Sequence, residues 1–375
     1  NFFLVGSETR YVTGQIRGEK TEGEGNMRRL PIFFVLDVSE SMAGENLQKM
    51  EDGMVLLVHS LRTDPHALES VYLSVIAFAG IAQTIVPLVD VVSFYPPKLP
   101  IGSGTSLGAA LQELIKQIDS STVTTTTEQK GDWKPIVYLF TDGKPTDNVD
   151  AAIVSWQKNY AEKVDLIAVA FGKYADLTVL RKLTGTVLVF EDTQKDDFKK
   201  FVQWVTASVV IQSKSVGKSE KEDINLVKLD DTILKFDKKE TQTFNADLDC
   251  VVLVGRCQKK RNPYLIKYDR IKHVVKPQEN VQANHFELTG CYPVTEDYFS
   301  WSTTGASDVK VNTSELVGWP SCPYCGNSSA FGVCQCGKLM CLNFPYGMEM
   351  CPWCETRIDF ANSSGEAFDV HRGRG

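Results

Sequence analysis

Two kinds of apolar pattern alternate along the chain from Arg28 to about Gln212. The segments 32–36 and 135–140 are apolar without interruption, which is typical of central parallel strands covered on both faces. Glu45–Leu61 instead spaces its apolar side chains as a helix with one buried face does. The same patterns predict strands at 71–79, 82–92, 164–171 and 186–190 and helices at 105–119, 148–160, 176–184 and 195–211. We therefore predict an α/β fold with a doubly wound, mostly parallel six-stranded sheet, whose antiparallel edge comes from the hairpin 71–92.

Polar side chains follow the two continuous apolar strands where each of them ends. Asp37, Ser39 and Ser41 come at spacing two, and Asp142 lies in the Thr-Asp-Gly that follows the strand 135–140. Thr105 lies in a glycine-rich loop at the start of a predicted helix. Open α/β sheets bind ligands at the carboxyl ends of their strands, and these hard oxygen ligands suit Mg²⁺ or Mn²⁺. The ordinary alternative is that the Asp and Ser residues only cap helices.

These three pieces resemble the metal-ion-dependent adhesion site (MIDAS) of von Willebrand factor A domains. All five positions of that site are matched, by Asp37, Ser39, Ser41, Thr105 and Asp142. The resemblance implies a von Willebrand factor A domain over residues 27–212 with a divalent ion at these five residues.

The pattern changes after a polar, charge-mixed stretch at 213–223, which we interpret as a linker. Short strands separated by turn residues then predict a β-rich module over 224–317. Its cysteines, Cys250, Cys257 and Cys291, are interpreted as buried small hydrophobes. The module also carries a basic cluster, interpreted as a solvated face or, alternatively, as a docking surface for an acidic or phosphorylated partner. The cluster consists of Lys259, Lys260, Arg261, Lys267, Arg270, Lys272, His273 and Lys276.

Residues 318–360 form a cysteine-rich segment with two CxxC turns. Four thiolates satisfy tetrahedral Zn²⁺, and the simplest arrangement places one ion on Cys322, Cys325, Cys351 and Cys354. A second zinc ion would take Cys334, Cys336 and Cys341 with a fourth ligand, for which His371 is a remote candidate. A redox role is disfavoured, because neither CxxC lies between a strand and a helix.

Composition sets limits on the class of protein. The chain has 375 residues, and a single hydrophobic core rarely supports so long a chain, so two or three domains are expected. Its formal net charge of −7 argues against a dedicated nucleic-acid binder. No apolar run is long enough to span a membrane, and seven of the ten cysteines crowd into 322–354, which favours metal ligation in a reducing, cytoplasmic compartment. Residues 1–26 are set apart as an N-terminal extension, with Met27 a candidate native start, and 361–375 as a flexible tail.

A closer resemblance covers both the metal-site segments and the cysteine-rich segment. The segments MRRLPIFFVLDVSESMAGE, VYLSVIAFAG, SFYPPKLPIGSGTSLGAAL and GDWKPIVYLFTDGKPTD are similar to the tellurite-resistance TerY family. Some members carry a C-terminal cysteine-rich metal-binding domain, to which residues 319–358 are similar. The resemblance implies work in a stress response beside a Ser/Thr kinase and a PP2C-type phosphatase.

These residues are compatible with three functions. The first is a non-enzymatic adaptor that holds a partner's carboxylate through the divalent ion. The second is a phosphatase of the haloacid dehalogenase type, which is disfavoured because Ser39 stands where a second acid would act. The third is nucleic-acid binding or regulation through the zinc ribbon. Thr124, Thr125, Thr126 and Thr127 are interpreted as a mobile polar loop or, if a kinase is a partner, as phosphoacceptors.

Overall fold

The described residues from 28 to 215, which we call the first domain, are built on a six-stranded sheet. The computed structural model describes residues 28–127, 130–171, 175–190, 197–215, 249–271, 285–303, 309–361 and 367–373. The strands are β1 (Leu30–Asp37), β2 (Val71–Phe78), β3 (Ala82–Asp90), β4 (Ile136–Thr141), β5 (Asp165–Phe171) and β6 (Thr186–Phe190). Their order is β3-β2-β1-β4-β5-β6, and only β3 runs antiparallel to its neighbour. The predicted sheet and its antiparallel edge are confirmed.

Helices cover both faces of this sheet. They are α1 (Glu45–Thr63), α2 (Pro65–Ser70), α3 (Leu107–Ser121), α4 (Asp150–Asn159), α5 (Leu177–Leu183) and α6 (Asp197–Ser215). All eight residues of β1 are buried, because Phe34 packs into the core beneath α1 and α6 while Phe33 and Val35 pack into the core beneath α3 and α4. A strand buried on both faces needs apolar residues at every position, which is the pattern that the sequence shows. Within the described ranges, no helix combines the length and apolar character that crossing a bilayer requires.

The described residues from 249 onward are built around one six-stranded sheet that spans both predicted modules. Its strands are β7 (Cys250–Arg256), β8 (Pro263–Arg270), β9 (Phe286–Pro293), β11 (Leu316–Val317), β12 (Ser329–Val333) and β13 (Leu339–Leu342), in the order β11-β9-β8-β7-β13-β12. The predicted boundary between 224–317 and 318–360 is therefore wrong, because β13 of the cysteine-rich segment pairs in parallel with β7. We call these described residues, from 249 onward, the second domain.

Smaller elements complete the second domain. They are α7 (Asp297–Trp301), β10 (Lys310–Asn312), β14 (Met348–Met350), β15 (Arg357–Asp359) and β16 (Asp369–His371). β16 pairs with β10, and buried Arg372 donates a hydrogen bond to the backbone oxygen of Cys250, 2.7 Å away. The prediction of a flexible tail over 361–375 is thus wrong for residues 369–372.

Several expectations fall on undescribed positions. The extension 1–26 lies outside the described residues, as do 216–223 of the predicted linker and 224–248 of the predicted β-rich module. At 213–215 the linker expectation is wrong, since α6 continues to Ser215.

The second domain lies against the edge of the first sheet where β1 and β4 end. An apolar cluster joins Ala43 and Ile101 of the first domain to Cys250, Val252 and Leu265 of the second. Backbone hydrogen bonds run from Gly80 N to Trp301 O and from Thr303 N to Ser103 O. The residues predicted to hold the divalent ion therefore lie at the junction of the two domains.

Candidate metal centres

Three loops at the carboxyl edge of the first sheet hold the five predicted MIDAS residues. Asp37 ends β1. Ser39 directly precedes the short 3-10 turn Glu40–Met42, and Ser41 lies within it. Asp142 follows β4, and Thr105 precedes α3. The carboxyl ends of β1 and β4 meet here because these strands are parallel neighbours in the sheet.

Hydrogen bonds link the first loop to the loop after β4. The Ser39 and Ser41 hydroxyl oxygens are 3.0 Å apart, and Ser41 Oγ donates to Asp142 Oδ2 over 2.9 Å. Ser39 N donates to Asp37 Oδ1 over 2.9 Å, and Thr141 Oγ1 donates to Asp37 Oδ2 over 2.6 Å. Thr141 is a residue that the sequence analysis did not single out, although it lies directly before Asp142. It orients the Asp37 carboxylate.

Thr105 is placed beside these two loops by backbone pairing. Ser39 forms an isolated parallel bridge with Gly102, and Thr105 N donates to Thr146 Oγ1 over 2.9 Å. Thr105 is buried, at 2% exposure. The loop that carries it is therefore fixed to both of the others.

The turn after β4 needs glycine at position 143. Gly143 has φ +77°, and a Cβ there would lie 2.0 Å from the backbone oxygen of Asp176. Asp176 N in turn donates to Asp142 O over 2.7 Å. A side chain at 143 would push these backbones apart and displace Asp142.

The charges of this site favour a cation. Burial, and then the neighbouring Asp142 carboxylate, raise the pKa of Asp37 to about 7. A divalent ion would relieve this crowding of negative charge. Two carboxylates and three hydroxyls form an all-oxygen donor set that fits Mg²⁺ or Mn²⁺, with coordination positions left for water or a partner's carboxylate. Metal binding by these five residues stays a prediction.

Eight cysteines of the second domain form two groups of four. Cys257, Cys322, Cys325 and Cys341 bring their sulfurs within 4.8 Å of one another, and so do Cys334, Cys336, Cys351 and Cys354. We call these the first and second cysteine clusters. Four thiolates at such spacing fit a tetrahedral zinc ion, and the two clusters indicate two zinc ions.

The predicted grouping of the cysteines is wrong. The two CxxC turns do not share a cluster, because the hairpin β12–β13 lies between them and supplies different partners to each. Its turn gives Cys334 and Cys336 to the second cluster, and β13 gives Cys341 to the first. Cys257 completes the group of four that contains Cys341, and His371, on β16, belongs to neither group.

Cys257 was missed by sequence reasoning and is not a mere buried hydrophobe. It lies directly after β7, and Lys260 N donates to its sulfur over 3.3 Å. A backbone N–H that donates to a cysteine sulfur would help to orient it toward a metal ion. Cys250 and Cys291 lie outside both clusters; Cys250 is buried as predicted, whereas Cys291 is only half-buried.

The thiol groups in each cluster differ in acidity. A hydrogen bond from Cys341 lowers the pKa of Cys322 to about 5, and bonds from Thr356 lower the pKa of Cys354 to about 6. Burial is the main cause that raises the pKa of Cys334. Zinc binds thiolates, so each thiol of a cluster would release its proton when the ion binds.

The residues of the basic cluster differ in their exposure to solvent. Lys259, Lys260 and Arg261 are exposed, whereas Lys267 is buried against the first domain. Lys272, His273 and Lys276 lie outside the described residues. The burial of Lys267 corrects the solvated-face interpretation for that residue, and the docking surface stays a prediction. Thr124, Thr125, Thr126 and Thr127 lie on an exposed loop.

Comparisons with known proteins match both halves of the chain. The von Willebrand factor type A domain family model matches residues 32–204, and the TerY-C metal binding domain model matches residues 247–375. Inter-alpha-trypsin inhibitor heavy chain H6 of Homo sapiens is 24% identical over 165 residues, which cover 41% of this chain and 12% of that protein.

Two solved structures are similar to part of this chain. Proximal thread matrix protein 1 from the mussel byssus is 22% identical, with 48% of each chain covered and a TM-score of 0.37. A von Willebrand factor type A structure from Catenulispora acidiphila is 15% identical, with 49% of this chain and 43% of that chain covered and a TM-score of 0.37. The chain thus spans less than half the length of each.

The order of the two domains agrees with the arrangement expected from the sequence. A von Willebrand factor type A domain comes first, and a metal-binding domain with two cysteine clusters follows it. The combination indicates a metal-dependent protein related to tellurite resistance, in which the cysteine clusters suggest zinc. The two family models together match the description of the TerY family, a von Willebrand factor type A domain with a TerY-C metal binding domain.

Proposed function

We propose that this protein is a non-enzymatic adaptor that binds acidic partner proteins through a divalent ion, Mg²⁺ or Mn²⁺, held by the first domain. The observation that carries the proposal is the linkage of Asp37, Ser39, Ser41 and Asp142 by hydrogen bonds at one edge of the sheet. With two carboxylates as its charged protein ligands, the ion would stay electrophilic. A partner's Asp or Glu could therefore displace a water and complete the octahedral shell.

The chemistry of the site supports binding rather than catalysis. Asp37 and Asp142 would both be engaged as metal ligands, and Ser39 offers a hydroxyl where a phosphatase would need a second carboxylic acid. No other acidic side chain belongs to the predicted five-residue site. The residues that would hold the ion thus leave proton transfer unprovided.

The partners proposed for this adaptor are a Ser/Thr kinase and a PP2C-type phosphatase of a bacterial stress response in the cytoplasm. This part of the proposal rests on the resemblance of the two domains to the TerY family. The zinc-bearing second domain would supply a second contact surface. Nucleic-acid binding is less well supported, because Arg372 of the basic tail is buried and bonded to Cys250.

The test is a pull-down from native lysate with added Mg²⁺ or with EDTA. Wild type is compared with Asp37→Ala and with Asp150→Ala, a control that removes an exposed carboxylate at the start of α4. We expect wild type and Asp150→Ala to capture a kinase or phosphatase only with Mg²⁺, and Asp37→Ala to capture neither. Zinc content is measured in each sample, because EDTA can also strip the cysteine clusters. Mg²⁺-dependent capture by folded Asp37→Ala would refute the adaptor mechanism.

A further inference from the structure

The second domain contacts all three loops that carry the predicted MIDAS residues. Lys267 and Tyr298 reach the loop after β1, where Tyr298 donates a hydrogen bond to Glu40. Ser103, in the loop before α3, pairs with Thr303 and Ser302. Lys144, in the loop after β4, forms an ion pair of 3.3 Å with Asp249. A surface that touches every loop of a site controls access to that site.

The contact is close-packed and depends on glycines of the first domain. A Cβ at Gly80 would lie 1.9 Å from the backbone nitrogen of Thr303, and one at Gly102 would lie 2.5 Å from the backbone oxygen of Trp301. Real side chains do not approach backbone atoms so closely, so any residue larger than glycine would hold the domains apart. Together with the apolar cluster around Ala43, this identifies a docked interface.

The site that the proposed function needs open is buried in the docked chain. The five predicted metal-binding residues are at most 9% exposed, from Asp37 and Ser39 at 0% to Ser41 at 9%. A partner's carboxylate must reach the ion directly to bind it. The docked second domain occupies the side of the site from which a partner would come.

Lys267 places a positive charge beside the metal position. Its side chain is 7% exposed, and its ammonium nitrogen donates to the backbone oxygens of Ser41, over 2.7 Å, and Ala43, over 3.3 Å. Ser41 also carries one of the hydroxyls predicted to bind the ion. A lysine ammonium and a divalent cation at the same buried loop repel each other with little screening by solvent.

We propose that the second domain is an intramolecular lid on the metal-binding edge, and that docking of this lid and binding of the divalent ion oppose each other through Lys267. The proposal rests on the proposed function and gives it a regulation: the undocked chain is the form that presents the ion to an acidic partner. Metal and partner together shift the chain from the docked to the undocked form.

The first test measures Mn²⁺ affinity of the full, zinc-loaded chain. Lys267→Met removes the positive charge with little change in side-chain volume. Gly80→Val is expected to hold the two domains apart, and this variant retains the lysine at position 267. Lys310→Met is the control, since it removes an exposed lysine of the same domain. We expect Lys267→Met and Gly80→Val each to bind Mn²⁺ about tenfold more tightly than wild type, and Lys310→Met to match wild type.

The second test measures the shape of the chain in solution by small-angle scattering. Saturating Mn²⁺ should raise the radius of gyration of wild type but not that of Asp37→Ala, and Gly80→Val should be extended without metal. Equal or weaker Mn²⁺ binding by both variants, or a wild-type shape that ignores Mn²⁺, would overturn the lid while leaving the adaptor intact. Absence of Mn²⁺ binding in every variant, Lys267→Met included, would overturn the proposed function as well.

Discussion

The hydroxyl of Ser41 donates a hydrogen bond to Asp142 Oδ2 over 2.9 Å, across 101 positions of sequence. This bond joins the ends of two neighbouring parallel strands, β1 and β4. The donor set for a divalent ion is therefore assembled by the sheet itself.

Replacing Asp142 by Asn should abolish tight Mn²⁺ binding without unfolding the first domain. The amide keeps the size of the side chain but removes one of the two charges that attract the ion, so we expect a loss of about tenfold or more in affinity. Calorimetric titration with Mn²⁺ measures this, with Asp150→Asn as the exposed control. Unchanged affinity in Asp142→Asn would show that the ion binds elsewhere.

Thr141→Val should weaken Mn²⁺ binding although Thr141 is not a predicted ligand. Its hydroxyl donates to Asp37 Oδ2 over 2.6 Å, and partners that orient a ligand typically contribute about ten- to hundredfold to metal affinity. Valine keeps the shape of the strand residue. Thr141→Ser retains the donor and should restore most of the affinity, and a serine variant as weak as valine would contradict the role of this hydrogen bond.

The affinity for Mn²⁺ should depend on pH through Asp37. Its pKa is raised to about 7 in the folded, metal-free protein, against 3.8 ordinarily. The ion must displace this proton below about pH 7, so affinity should rise about tenfold per pH unit up to there and then level off. Titrations at roughly pH 6, 7 and 8 measure the profile, and a flat profile would show that Asp37 is already ionised.

The same pKa shift also affects stability without metal. The folded state holds a proton that the unfolded state releases, so this stabilising contribution is full below about pH 4 and is lost as pH rises through about 7. Asp37→Asn cannot ionise. Its thermal stability should therefore fall less than that of wild type between roughly pH 4 and 7.

Cys257→Ser should reduce the zinc content from two ions per chain to one. The serine hydroxyl cannot replace a thiolate, and only the first cysteine cluster contains Cys257. Native mass spectrometry counts the ions, and Cys291→Ser, outside both clusters, should keep two. Retention of two ions by Cys257→Ser would restore the grouping predicted from the CxxC turns.

The sequence was most informative where a local pattern has one physical explanation. The uninterrupted apolar run before Asp37 can be removed from water only if both faces of β1 are covered. This requirement predicted a sheet with helices on both sides. Helix α2 was missed, although Asp64 caps it by accepting bonds from His66 N and Ala67 N and Pro65 suits its first turn. These capping residues were available signals.

Relationships between distant residues could not be read from spacing. Cys257 lies 65 positions before Cys322, so the turn between β7 and β8 gave no sign that it completes a cluster. Lys267 is 226 positions from Ser41, and in a basic run it resembled any solvated lysine. Only the docking of one domain on the other reveals its role.

The order of the cysteines has a consequence for proteolysis. Cys341 of the first cluster comes between Cys336 and Cys351 of the second, and the turn between β12 and β13 is exposed at Gln335, Gly337 and Lys338. One cut after Gly337 would separate ligands of both clusters onto different fragments. A protease that nicks this turn should therefore release both zinc ions at once, and the domain cannot be divided there into halves that each retain a complete site.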